Sequence, residues 1–197
     1  DLLRESDNSR AIELYQMASD NGNKYASFTL AQIMEPQDKQ RAIALYRSAS
    51  SISDATKRAT ALFKLGYLNE SQPSIAIPYY ETAIKEGEKW ASAYNLAMFY
   101  ESDDEDRFLG LLKQSHEGGG QYYAGLKLGR HLLRKDRDSA LKYLKDAADA
   151  DNPSACNEYA YEVMSSDPEE ALKYFKKAID KGDETYAPYN LACMLVD

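Results

Sequence analysis

DPEEALKYFKKAIDKGD, residues 167–183, spells out a short helix together with its start and its stop. Asp167 is a capping residue and Pro168 suits the first helical position. Glu169 and Glu170 put acids in the first turn, where helix N–H groups lack partners. Ala171, Phe175 and Ala178 follow at i, i+4 and i+7, which is one face of a helix. Gly182 then supplies the left-handed conformation that closes it.

The same face recurs along the chain. It reads Ala11/Tyr15/Ala18, Ala42/Tyr46/Ala49, Ala76/Tyr80/Ala83 and Ala140/Leu144/Ala147, with a degenerate copy at Phe108/Leu112/Ser115. Successive copies step by 31 to 34 residues. A second series interleaves with the first: Ala26/Leu30/Ala31, Ala61/Leu65/Gly66, Ser92/Leu96/Ala97, Ala124/Leu128/Gly129, Ala155/Tyr159/Ala160 and Ala187/Leu191/Ala192. Its central residues step by 31 to 35. Two series with one period make each repeat a pair of short helices. The Leu-centred helix is termed A and the Ala-aromatic-Ala helix B. Small residues at the motif ends let the two approach closely.

The joints agree. Gly22, Gly87, Gly119 and Gly182 each follow the last small B residue by four, with Ser53 and Asp151 as the exceptions. Asn152-Pro153 reads as another helix start. Pro78 lies inside a B helix and is expected to kink it or delay its start. Ser50–Arg58 is the longest insertion and lengthens one turn. A first B helix is expected near 9–21 and a last A helix near 184–196. Leu2-Leu3 reads as the tail of an earlier A helix.

These residues resemble the tetratricopeptide and Sel-one-like (SLR) repeat families. Ala61-Leu65-Gly66 and Ala124-Leu128-Gly129 match the A-helix pattern of an Ala four before Leu-Gly. Ala171-Tyr174-Ala178 and Ala140-Tyr143-Ala147 match the B-helix pattern. The run Ala178–Asp183, echoed by Ala83–Glu88, is closer to SLR than to tetratricopeptide repeats. The chain departs by lacking the glycine-rich A-to-B loop of SLR repeats and most of the prolines that follow tetratricopeptide B helices. The expected fold is all-α: a right-handed α-solenoid of about six antiparallel helix pairs, roughly twelve helices. One solenoid is expected over 1–197, with repeats starting near 9, 40, 74, 105, 138 and 169. The apolar ending Leu191-Ala192-Cys193-Met194-Leu195-Val196 lacks the polar capping face of a terminal repeat. It suggests a fragment of a longer array, or a site of self-association through the C-terminal helix.

Composition narrows function by exclusion. The 197 residues carry 24 Lys plus Arg and 32 Asp plus Glu, a net charge of −8, the wrong sign for gripping a phosphate backbone. Residues 1–100 are net −1 and residues 101–197 net −7, so a basic partner would be steered to the second half. No apolar run approaches the roughly 20 residues of a membrane span. No leader is visible, which leans toward the cytoplasm, although Asp1-Leu2-Leu3 is not a natural start.

Catalytic and metal signals are thin. His116 and His131 do not repeat in position and read as unrelated surface or packing residues. Cys156 and Cys193 would be offset by about 7.5 Å and about 140° on neighbouring A helices, so two buried free thiols are expected. Gly118-Gly119-Gly120 lacks the strand and Lys-Ser/Thr of a phosphate loop and reads as a helix terminator. The acidic run Glu101–Asp106 lacks the spacing of a calcium loop and reads as a capping turn. Asn69-Glu70-Ser71 is a chance glycosylation match.

Binding has the clearer signature. Positions two before and two after the central A residue point 160° to 200° away from it. In the resembling families that face lines the concave groove. Two before gives Phe28, Phe63, Tyr94, Leu126, Asn157 and Tyr189; two after gives Gln32, Tyr67, Met98, Arg130, Tyr161 and Cys193. Six of these twelve are aromatic, against 11% of the chain, and aromatics suit recognition. Asn95 and Asn190, just before the central Leu, sit where a tetratricopeptide groove uses Asn to hold a peptide backbone. No basic clamp for a carboxylate terminus accompanies them. The expected function is a non-catalytic scaffold binding a protein or peptide in this groove. No cofactor, metal or nucleic acid is expected. The alternative is an accessory or regulatory domain of a larger enzyme or signalling complex. An RNA-binding repeat comes third.

Overall fold

The computed structural model describes the backbone of residues 2–196 and side chains from residue 9 onward. The chain packs as two compact units that divide between Leu96 and Ala97. Among the described residues all regular structure is helical: twelve α-helices and one π-helical turn.

The first unit holds α1 (Leu2–Asp20), α2 (Lys24–Met34), α3 (Lys39–Ala49), α4 (Ala55–Leu68), α5 (Pro73–Lys85) and most of α6 (Ala91–Met98). Here α2 packs on α3 and α4 on α5 as A/B hairpins, while α1 packs on α2 and α3 on α4. The second unit holds α7 (Glu105–Glu117), a π turn (Gln121–Gly125) running into α8 (Leu126–Leu132), α9 (Arg137–Asp149), α10 (Pro153–Val163), α11 (Pro168–Asp180) and α12 (Tyr186–Val196). Its hairpins are α8 with α9 and α10 with α11, and α12 packs on α11 and α10.

The two sequence series form the core. The central A residues Leu30, Leu65, Leu96, Leu128 and Tyr159 are 0–5% exposed, and the central B residues Tyr46, Tyr80, Leu112, Leu144 and Phe175 are all at 0%. Small residues at the motif ends are required for this packing. A Cβ added to Gly66 would lie 2.8 Å from the Tyr80 ring, and one at Gly129 would lie 2.5 Å from Leu144 Cγ.

Helix starts follow the side-chain capping rule. Asp38, Asp54, Asp104, Asp136 and Asp167 each accept a hydrogen bond from the backbone N–H three residues on, and Asn152 does the same to Ala155. Replacing Asp167 by Ala is expected to cost about 1 kcal/mol. That should lower the melting temperature by about 2–4 °C in a chain of this size, as read by a thermal melt followed by circular dichroism. Gly22, Gly87, Gly119 and Gly182 close their helices at φ of 85° to 111°. Of the two exceptions, Asp151 adopts the same conformation with a side chain, at φ 68°. Ser53 does not, because the longer turn after α3 relieves the need. That turn buries Ile52 to 1% exposure and is held by Arg58, which donates to the Ile52 carbonyl at 2.9 Å.

Several expectations are corrected. Leu2-Leu3 is not the tail of a separate helix but the first turn of α1. Pro78 does not delay α5; the helix starts at Pro73 and runs on past it to Lys85. Pro78 and Ser74 are both exposed, so the Ser74 carbonyl that loses its helical partner is open to water. Both cysteines are free, but only Cys156 is buried. Burial pushes its thiol up to about 11. Cys193 is exposed, on a side of α12 that α10 and α11 do not cover. Asn69 is buried and donates to the Leu65 carbonyl at 2.7 Å, so its amide faces inward. The π turn at the start of α8 has no counterpart in the other A helices. It follows Gly120, where a Cβ would meet Ser115 Oγ at 2.6 Å.

Candidate functional site

In the first unit the candidate surface is a cleft of about 500 Å³ lined by residues of α2, α3 and α4 and the turn after α2. Gln32, Glu35, Tyr46, Lys64, Tyr67 and Leu68 line it. Its base is built from the B helix. The Tyr46 ring is fully buried, yet its hydroxyl donates to Glu35 Oε2 at 2.7 Å. Tyr80 repeats the arrangement one hairpin on, donating to Glu70 Oε1 at 2.6 Å. Burial first, and then the neighbouring carboxylate, push both phenols well above their ordinary range, which keeps them protonated as donors. Lys64 Nζ lies 2.8 Å from Glu35 Oε1, tying α4 to the end of α2.

Tyr67 is the exposed aromatic here, at 48%. Its ring stacks on Phe63 with centroids 6.3 Å apart, and Lys64 Nζ sits 5.8 Å over its face. Phe63 is half-buried because its other neighbour is the Tyr80 ring at 6.0 Å. It therefore props Tyr67 rather than presenting its own face. Phe28, expected on the groove, is instead a core residue at 7% exposure, edge-on to Tyr46 at 6.1 Å. Gln32 is exposed and Tyr94 half-buried.

In the second unit a smaller cleft of about 340 Å³ is lined by Arg130, Ser154, Asn157, Glu158, Asp183 and Tyr186. Arg130 grips Glu158 through two nitrogens, with Nε at 2.8 and 3.0 Å from its carboxylate oxygens. Asn157 Oδ1 accepts from Asn190 Nδ2 at 2.9 Å. Tyr161 and Tyr189 are exposed at 53% and 70%. Met98 and Leu126 are half-buried and Cys193 is exposed. In four of the six repeats the residue two after the centre is thus more open than the one two before it; Tyr94 and Met98 are both half-buried, and Tyr189 and Cys193 are both exposed.

The asparagines expected to hold a peptide backbone have internal work. One N–H of Asn95 goes to Tyr80 Oη at 3.2 Å, and one of Asn190 goes to Asn157. Some of the acids of the second unit are paired locally. Glu101 pairs with Lys127 at 2.6 Å and Glu162 with Arg137 at 2.9 Å. In the acidic turn Asp104 caps α7, while Glu105 meets Lys135 and His131, which holds its carboxyl below the ordinary range. His116 lies 3.1 Å from Asp146 and edge-on to Tyr143. Among the described residues no three His, Cys, Asp or Glu side chains group to hold a metal, and no helix is long and apolar enough to cross a membrane.

Sequence reading missed Glu35, Glu70 and Lys64. The signal was present: Glu35, Glu70 and Glu101 each stand five residues after the central Leu of their A helix.

A model of the Sel1 repeat matches residues 2–23, 27–54, 119–152 and 153–183, more than half of the chain. No curated protein matches in sequence. Among solved structures, the chain is similar to c5321, a protective antigen of uropathogenic Escherichia coli with an SLR fold. That match has a TM-score of 0.75 and 18% identity, over 94% of this chain and 44% of the other. The chain thus spans less than half the length of that relative. It is also similar to a Sel1 repeat protein of Klebsiella pneumoniae subsp. pneumoniae, with a TM-score of 0.52 and 18% identity over 93% of this chain and 99% of that one. A third likeness is to the MamA protein, with a TM-score of 0.54 and 20% identity over 82% and 92% of the two chains. At these identities the likeness is one of fold: stacked helical hairpins of the solenoid class.

Proposed function

This chain belongs to the Sel1 repeat family, and on that basis we propose that it is a non-catalytic scaffold that holds a peptide or protein segment against its A helices. Repeats of this kind are typically non-catalytic modules that bind other proteins. The observation that carries the reading is the α2–α4 cleft. It combines an exposed aromatic, Tyr67, with an amide, Gln32, and a fixed Lys64–Glu35 pair. An exposed Tyr backed by a stacked ring has few rotors to freeze, and it offers both apolar area and a hydroxyl. Gln32 can both donate to and accept from a peptide backbone. The charged pair sets register more than it adds affinity.

The test begins with peptides selected from a random display library on the immobilised 197-residue chain. Affinity of the selected peptide is then measured by calorimetry for the chain carrying Gln32→Ala and Tyr67→Ala together. The expected loss is at least about tenfold, the effect of removing an interface anchor. Both side chains are exposed, so the thermal melt should stay within about 3 °C of the parent. Unchanged affinity in a folded double variant would remove the cleft from the binding surface.

A further inference from the structure

We propose, given that the α2–α4 cleft is the binding surface, that it selects a peptide segment without charged side chains, with the Glu35–Lys64 pair as the filter.

The net charge of −8 by itself favours a basic partner. The cleft does not share that excess. Residues 1–100, which contain it, carry 11 basic and 12 acidic residues, so this half of the sequence steers neither sign of partner. Among the described residues that line the cleft, only Glu35 and Lys64 are charged. They lie 2.8 Å apart, with side chains 21% and 28% exposed. Both carboxylate oxygens of Glu35 are engaged: Oε1 accepts from Lys64, and Oε2 accepts from the Tyr46 hydroxyl at 2.7 Å. Lys64 Nζ also lies over the Tyr67 ring.

A charged side chain entering here would leave water and meet a counter-ion that is already paired. Breaking the pair to reach one member strands the other, so Lys, Arg, Asp and Glu are all disfavoured. What a partner can use is the exposed Tyr67 ring, the Gln32 amide and the exposed Pro36. Apolar side chains pack on the ring, and Gln32 bonds to backbone N–H and C=O groups. The pair therefore acts on specificity: it rejects both signs of charge rather than attracting one.

The probe is a peptide selected from a random display library on the 197-residue chain and needing Gln32 and Tyr67, as shown by calorimetry on the chain carrying Gln32→Ala and Tyr67→Ala together. The peptide residues that matter for binding, found by alanine replacement, should include no Lys, Arg, Asp or Glu. Its affinity should change less than about twofold between about 0.01 M and about 1 M salt, although the Debye length shrinks from about 30 Å to about 3 Å. Placing Lys or Glu at one of those peptide positions should each weaken binding at least about tenfold. Lys64→Met then frees Glu35, and should bind the Lys-substituted peptide at least about tenfold better than the parent chain does. Glu35→Gln frees Lys64, and should do the same for the Glu-substituted peptide. Circular dichroism checks that both variants are folded. A selected peptide that needs Gln32 and Tyr67 but binds through its own charged side chains overturns the proposal and leaves the cleft as the binding surface. So do substituted peptides that gain nothing from either variant. A library that yields only peptides indifferent to Gln32→Ala with Tyr67→Ala would instead remove the cleft, and the filter falls with it.

Discussion

Replacing Leu128 by Ala is expected to cost about 2–5 kcal/mol, the range for a fully buried Leu. Leu128 is at 0% exposure, and the neighbouring Gly129 lies against Leu144 of α9, which leaves α8 and α9 no slack to collapse into the hole. A cavity that cannot close lies at the upper end of that range. The melting temperature should fall by about 4–20 °C for a chain of this size. The damage should also be local. Repeats touch only their neighbours, so loss of one A/B contact weakens the adjoining hairpins first. Native-state hydrogen exchange should show lost protection in α8, α9 and α10 while α2 to α5 keep theirs. Uniform loss across all twelve helices would mean that the chain unfolds as one cooperative block instead.

Gly66→Val is expected to be comparably damaging for the opposite reason. Its first carbon would lie 2.8 Å from two atoms of the Tyr80 ring. That ring is at 0% exposure and its hydroxyl is fixed by Glu70 and Asn95, so it cannot swing aside. Overpacking of this kind costs about 1–3 kcal/mol for added methylenes, and α4 and α5 would have to separate. Removing a mid-helix Gly returns less than about 1 kcal/mol of helix propensity, so the clash wins. Gly110 is the control. It lies in the exposed part of α7 with nothing within 4 Å of an added Cβ. Gly110→Ala should stabilise the chain by about 0.5–1 kcal/mol. Thermal melts of the two variants should shift in opposite directions. A neutral Gly66→Val would show that the hairpin contact is loose.

The repeat was legible because it rests on local spacing: a B helix needs a small residue, a large one and a small one on a single face. The degenerate copy at Phe108, Leu112 and Ser115 packs like the others, with exposures of 0–1%. The groove was less legible because its faces are decided by neighbouring helices. Helical arithmetic puts Phe28 and Gln32 within about 20° of the same direction. Packing against Tyr46 of another helix buries the first and leaves the second open. The phenol–carboxylate contacts of Tyr46 with Glu35 and Tyr80 with Glu70 span 11 and 10 residues. They join two helices, so no single helical face displays them. Asp151 was flagged by position and takes the positive φ of the glycine stops, whereas Ser53, flagged the same way, does not, because the longer turn after α3 changes the local geometry.

The claim that the A-helix face binds partners is tested most directly by placing a photoreactive benzophenone residue at one site at a time. Gln32 on α2 and Arg47 on α3 are both exposed, the first in the cleft and the second on a B helix. The library-selected peptide, irradiated with each labelled chain, should cross-link at Gln32 and not at Arg47. Cross-linking at Arg47 with none at Gln32 would place binding on the B helices and contradict the account.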